Sequence, residues 1–154
     1  MKLQLADAAA LEALGARLAP VLDNAIVYLQ GELGAGKTTL ARGILRGMGY
    51  NDKVRSPTYT LVEPYAVDQG MVYHLDLYRL ADAEELEWLG LRDMLAEQAM
   101  LLVEWPERGG GVLPEADLVV QIAPSGGGRS VDIVALTERG RQILSRPMLD
   151  DLVR

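Results

Sequence analysis

The chain has 154 residues, 49% hydrophobic and 24% charged, enough for one core and too few for a second catalytic domain, so residues 1–154 read as a single domain. Zero cysteines and a lone histidine exclude disulfides, thiol nucleophiles and Cys/His zinc sites, and no apolar run approaches the roughly 20 residues of a membrane helix. A formal net charge of −7 opposes unaided nucleic-acid binding, which relies on Lys and Arg neutralising phosphates. Aromatic residues are 5% of the chain, with no Phe, so a base-stacking platform is not expected. Asp7 interrupts the N-terminal segment before a signal-peptide core can form, and the cytoplasm is the expected compartment.

In chain order, Lys2–Leu5 reads as a short strand. Asp7 suits a helix N-cap, and Leu11, Leu14, Leu18 and Val21 follow at helical spacing. Ala25–Leu29 is a buried-strand run. It leads directly into Gly31-Glu32-Leu33-Gly34-Ala35-Gly36-Lys37-Thr38, which fits the phosphate-binding pattern G-x-x-x-x-G-K-[ST] in full. Glycine at those positions lets several backbone N–H groups converge on a phosphate. The helix starting near Lys37 adds its positive dipole end to the same anion. Lys37 has the reach for β/γ-phosphate oxygens, and the Thr38 hydroxyl suits Mg²⁺. Leu40, Ile44, Leu45 and Met48 continue the helix to a stop at Gly49. A chance Gly-rich turn would not have strand, loop and helix in this order.

A polar loop, 51–58, comes next. Tyr59–Val67 and Met71–Leu77 read as strands joined by a hairpin turn at Asp68-Gln69-Gly70. Asp82-Ala83-Glu84-Glu85 resembles a capping box, opening short helices over Ala83–Leu89 and Leu91–Gln98 that break near Gly90. Ala99–Val103 is another buried strand, closed by Glu104-Trp105-Pro106, and Gly109–Gly111 starts a loop. Leu118–Ala123 and Val131–Leu136 form a hairpin around Gly126–Gly128, and Glu138–Ser145 reads as a C-terminal helix. Mixed strands and helices around a phosphate loop imply an α/β, P-loop NTPase-like three-layer sandwich. Two hairpins make its sheet mixed and only partly parallel.

A phosphate loop needs an acid at the end of a neighbouring strand to hold Mg²⁺ or its waters. Glu104 ends the run Met100–Val103 in that position, although Asp is commoner there; a solvated strand-end carboxylate is the alternative. Asp76 stands inside Tyr73-His74-Leu75-Asp76-Leu77-Tyr78-Arg79, where an acid is a poor strand former, unless it occupies an exposed face. Ser56 and Thr58 belong to a hydroxyl cluster after the phosphate-loop helix, a region that often senses a γ-phosphate. An ordinary Ser-Pro turn explains the same residues. Trp105 suits a shield over the site, a partner surface or a core position. His74 shares a strand face with Asp76, and a packed or hydrogen-bonded role is favoured over catalysis.

Taken together, GELGAGKTTLARG (Gly31–Gly43), SPTYTLVEPY (Ser56–Tyr65), YHLDLYRL (Tyr73–Leu80), EELEWLGLRD (Glu84–Asp93) and LVEWPE (Leu102–Glu107) closely resemble the TsaE (YjeE) family of bacterial ATPases. The motifs occur in the right order over the middle half of the chain. Leu75 stands where relatives often carry Phe, a change within an apolar slot. The resemblance implies a role in forming N6-threonylcarbamoyladenosine beside the tRNA anticodon. It implies binding to the TsaB–TsaD heterodimer, with TsaD the transferase, and ATP hydrolysis that supports repeated turnover of that complex. The tRNA would be met only through those partners. It also implies that Gly34, Ala35, Gly36, Lys37, Thr38 and Thr39 surround the ATP or ADP phosphates and that Thr38 and Glu104 hold Mg²⁺. By the same resemblance Lys37, Asp76 and Glu104 form the catalytic set, Ser56 and Thr58 lie in a switch, and Arg129 lies near the nucleotide. The alternative is a small-molecule P-loop kinase, but such enzymes usually close an Arg-rich lid, and Arg108 and Arg129 stand apart.

Overall fold

Alternating apolar positions near the N-terminus bury Leu3 and expose its neighbours, and the chain opens as β1 (Lys2–Leu5). Asp7 then turns it into α1 (Ala8–Leu22), its side chain accepting the Ala10 N–H at 2.9 Å. In this computed structural model, which describes residues 1–153, β2 (Ile26–Gln30) follows and leads through the glycine loop to α2 (Lys37–Gly47). The hairpin expected around Asp68–Gly70 is β3 (Val62–Val67) and β4 (Gly70–Asp76), paired antiparallel.

Strand β3 starts three residues later than the sequence suggested. The Leu61 N–H bonds back to the Pro57 carbonyl at 2.8 Å, closing residues 57–61 into a turn. Leu61 takes φ +68°, and only then does the chain extend.

The Asp82–Glu85 capping box is present. The Glu85 carboxylate accepts the Asp82 N–H at 2.9 Å, and Asp82 accepts the Glu84 N–H at 2.9 Å. It opens α3 (Glu85–Trp88), and Gly90, at φ +87°, separates this turn from α4 (Leu91–Ala96). Then come β5 (Met100–Glu104), a 3-10 turn over Pro106–Gly109, β6 (Leu118–Ser125) and β7 (Gly128–Ala135). The chain continues into α5 (Glu138–Leu144), capped by Thr137, and a 3-10 segment over Pro147–Val153.

All seven strands join one sheet in the order β1-β7-β6-β2-β5-β4-β3. The central four, β6-β2-β5-β4, run parallel, while β7 and β3 run against them. Strand β5 is buried along its whole length, as a strand covered on both faces must be. One face packs α1, α2 and α5 through Leu11, Leu18, Leu40, Ile44 and Ile143. The other packs α3 and α4 through Leu86, Leu91 and Met94 against Leu75, Leu101 and Val103. The result is the expected three-layer α/β sandwich with a mixed sheet. No helix among the described residues is long and apolar enough to cross a membrane.

Helices α1 and α2 approach closely enough that no side chain fits at their crossing. A Cβ on Gly43 would lie 2.9 Å from the carbonyl carbon of Glu12, and one on Gly15 2.6 Å from the Leu40 oxygen. This contact sets the position of α2, and with it the phosphate loop. Gly43→Ala should therefore cost about 1–3 kcal/mol of stability from overpacking, outweighing alanine's better helix propensity of roughly 1 kcal/mol. Urea unfolding measures it; an unchanged or raised midpoint would show that the helices separate freely.

Candidate functional site

The strand register brings the predicted residues to one end of the sheet. On the parallel ladders, Asp76 of β4 is paired with Glu104 of β5, and Glu104 with Leu29 of β2. The glycine loop leaves β2 at that same end, so both acids lie beside it. Carboxyl ends of parallel strands are where open α/β sheets bind ligands. The loop backbone is left-handed at Gly34 and Gly36, with φ +78° and +117°. At Gly36 a Cβ would also collide with the Leu11 side chain, so glycine is required there twice over.

Among the described residues, the buried polar and charged side chains are Lys37, His74, Asp76 and Glu104, and they form one cluster. The Thr38 hydroxyl lies 3.0 Å from Glu104 Oε2 and 3.3 Å from Oε1. His74 Nε2 sits 2.6 Å from Glu104 Oε2. Lys37 Nζ donates to the Gly31 and Glu32 carbonyls and lies 4.1 Å from the centre of the Trp105 ring. The ammonium thus rests against the loop that it would leave to reach a phosphate.

Asp76 Oδ1 accepts the Tyr78 N–H at 3.0 Å. Its other oxygen stands 3.5 Å from the Thr58 hydroxyl, at the outer limit of a hydrogen bond. Ser56 Oγ lies 2.7 Å from the same hydroxyl. The late start of β3 is what brings the Ser56–Thr58 turn over Asp76. Arg129, on β7, donates from Nε to the Ala35 carbonyl at 2.8 Å and from its terminal nitrogen to the Gly128 carbonyl at 2.9 Å. It holds the loop by its backbone.

Burial sets the electrostatics. It raises the Asp76 carboxyl above its ordinary value of 3.8, with the negative charge of Glu104 adding to it, against the Tyr78 N–H, His74 and Lys37. Burial likewise lowers Lys37 from 10.5, opposed by Glu104, Asp76, Glu107 and Glu32. The donor set, a hydroxyl and a carboxylate, is of the hard oxygen type that divalent cations such as Mg²⁺ take. No group of three or more His, Cys, Asp or Glu able to hold a metal occurs among the described residues.

Aromatic residues at the mouth were only partly legible. Trp105 takes φ +57° immediately after Glu104, which puts its ring on Lys37. Tyr78 meets Trp105 at 4.9 Å between ring centres, and the Arg79 guanidinium lies 4.4 Å from the Tyr59 ring centre. The sequence signal for Tyr78 and Arg79 was their place just past Asp76, at the carboxyl end of β4.

A family model for the threonylcarbamoyl adenosine biosynthesis protein TsaE matches residues 5–131. The tRNA threonylcarbamoyladenosine biosynthesis protein TsaE of Haemophilus influenzae is 52% identical over 120 residues, covering 78% of this chain and 76% of that protein. The protein of the same name from Synechocystis is 43% identical over 115 residues, covering 70% of this chain and 71% of its own. The crystal structure of Bacillus subtilis YdiB superposes with a TM-score of 0.75 at 27% identity, covering 93% of this chain and 90% of that one. The sheet and its two helical layers are thus the P-loop NTPase-like arrangement expected from the sequence.

Asp76 carries a testable consequence for stability. Its raised carboxyl binds a proton more tightly folded than unfolded, so the folded state holds more protons from about pH 3.8 up to the raised value. Stability therefore falls as pH rises through that window. Asp76→Asn keeps the Oδ1 acceptor and removes the charge. It should raise the ligand-free Tm at neutral pH, with the gain closing below the window. Melting curves of both proteins across pH decide it; a gain that persists in acid would assign the effect to packing.

Proposed function

The chain belongs to the TsaE family, and on that premise we propose that it is an ATPase subunit supporting N6-threonylcarbamoyladenosine formation in tRNA. In this reading it acts in the cytoplasm with the TsaB–TsaD heterodimer, and its ATP hydrolysis permits repeated turnover of that complex. The family's place in tRNA threonylcarbamoyladenosine biosynthesis supports the process, and the residues of the site support the chemistry. The observation that carries it is the convergence of Lys37, Thr38, Asp76 and Glu104 beside the glycine loop.

The N–H groups of 34–39 and the start of α2 offer a cradle for the β-phosphate. Lys37 exchanges its carbonyl partners for β/γ-phosphate oxygens, a gain because phosphate carries full charge. Thr38 and Glu104 would hold Mg²⁺, which supplies the charge that offsets the build-up on the phosphate oxygens. Asp76 is placed to orient an attacking water, and its raised proton affinity suits transient proton uptake. Thr58, in contact with Asp76, can report the γ-phosphate to the Ser56–Thr58 turn and so to a partner. The chain's acidity agrees with leaving the tRNA to TsaB–TsaD.

ATP turnover, measured alone and then with the TsaB–TsaD heterodimer, tests the proposal. Lys37→Ala should abolish nucleotide-dependent function in a folded protein. Asp76→Asn should leave ADP affinity within a few-fold of wild type while stimulated turnover falls by about 10²-fold or more. Equal losses in binding and turnover would make Asp76 a direct ligand.

Thr38→Ala and Glu104→Gln should each weaken Mg²⁺-dependent nucleotide binding. Their double mutant should lose less than the sum, because they share one ion. Strict additivity in that cycle would assign them to separate sites.

A further inference from the structure

His74 is completely buried, on the face of β4 that packs beneath α2. On that face Val72 lies two residues before it and Asp76 two after; across the ladders Leu102 is its register partner on β5 and Glu63 on β3. A leucine would fill such a place without desolvating an imidazole. Its one polar contact is Nε2 to Glu104 Oε2, at 2.6 Å. Nδ1 is buried without a partner. A buried polar atom left unpaired calls for a reason, and the reason lies at the other nitrogen.

Those two facts fix the tautomer. A carboxylate only accepts, so the proton of a neutral ring must sit on Nε2. In that tautomer Nδ1 carries only a lone pair, which leaves no N–H stranded in the core.

We propose that His74 is the positioning residue for Glu104: its Nε2–H pins Oε2 and so determines which carboxylate oxygen is left for the divalent cation. The inference rests on Glu104 serving that cation, as proposed above. Glu104 needs such a partner. It ends a strand with three side-chain torsions of its own, and its other contact is the rotatable Thr38 hydroxyl, also nearest Oε2. The imidazole, by contrast, is locked by a central strand and the packing around it. Oε1 has the longer Thr38 contact, 3.3 Å, and is the oxygen free to serve the site. A histidine holding a ligating carboxylate in this way acts as an outer-shell partner, whose loss typically costs about 10–100-fold in metal affinity. The same bond ties β4 to β5, keeping Asp76 and Glu104 in register at the loop.

The test uses the full chain as wild type, His74→Gln and His74→Leu. In the ligand-free wild type, imidazole ¹⁵N resonances should show a proton on Nε2; a bare Nε2 overturns the proposal. Affinity for a fluorescent ADP analogue is then measured in EDTA and across a Mg²⁺ titration. His74→Leu should need about tenfold more Mg²⁺ for half-maximal tightening, with EDTA affinity within about twofold of wild type. His74→Gln, whose amide N–H reaches toward the Nε2 position, should restore most of the response. Equal losses with and without Mg²⁺ would make His74 merely structural, and so would a glutamine as poor as leucine. If His74→Leu does not fold, His74→Asn, too short to reach Glu104, takes its place with the same expectations. A wild type without Mg²⁺ dependence, whatever the His74 variants do, would overturn the reading of Glu104 and with it this role for His74.

Discussion

Two carboxylates stand side by side on neighbouring parallel strands, out of water, and much of the rest of the molecule serves to make that possible. Asp76 and Glu104 are 6% and 2% exposed and share one register position. Burying like charges together is costly unless cations and donors answer them. Lys37, the Thr38 hydroxyl, the His74 ring and the Tyr78 N–H are those answers. The raised Asp76 carboxyl shows that the compensation is incomplete.

The scaffold divides its work between the two halves of the sheet. The parallel centre, buried on both faces, holds the acids and the phosphate loop rigidly. The antiparallel flank of β6, β7 and β1 contributes Arg129, which braces the loop through the Ala35 carbonyl from β7. On the opposite flank, the hairpin of β3 and β4 carries Asp76 at its end and draws the Ser56–Thr58 turn over it. The close crossing of α1 and α2 then fixes the height of the loop above the strands. Each element near the site thus constrains one of its groups, as a preorganised site requires.

Trp105 links these parts at the mouth. Its left-handed backbone costs of order 1 kcal/mol or more, and it lies between Glu104 and Pro106, where the chain must turn sharply off the sheet. The turn puts the indole over the Lys37 ammonium, a contact that is strengthened where water is excluded. Tyr78 supports the ring from the neighbouring strand end. Strain at the backbone is therefore tied to cover over the charge.

Residues whose placement depends on near neighbours in sequence were readable in advance. The glycine loop, Lys37 and Thr38 are contiguous, and the loop needs φ values that glycine alone supplies cheaply. Glu104 was visible as the acid ending an apolar run, and Asp76 as an acid inside one, because burial periodicity is a local pattern. The caps at Asp7 and Asp82 were equally local. What only the tertiary structure decided was who meets whom. His74 and Glu104 are 30 residues apart in sequence, and their contact follows from β4 lying beside β5 in one register, which a shift of one residue would destroy. The hold of Arg129 on Ala35 joins β7 to the glycine loop across 94 residues of sequence. Trp105's place over Lys37 comes from a backbone angle that no propensity predicts for tryptophan. The loop and the two acids were thus legible in short motifs, while the charge balance around them was set by strand pairing, because electrostatics depends on distances in space and on water excluded by packing.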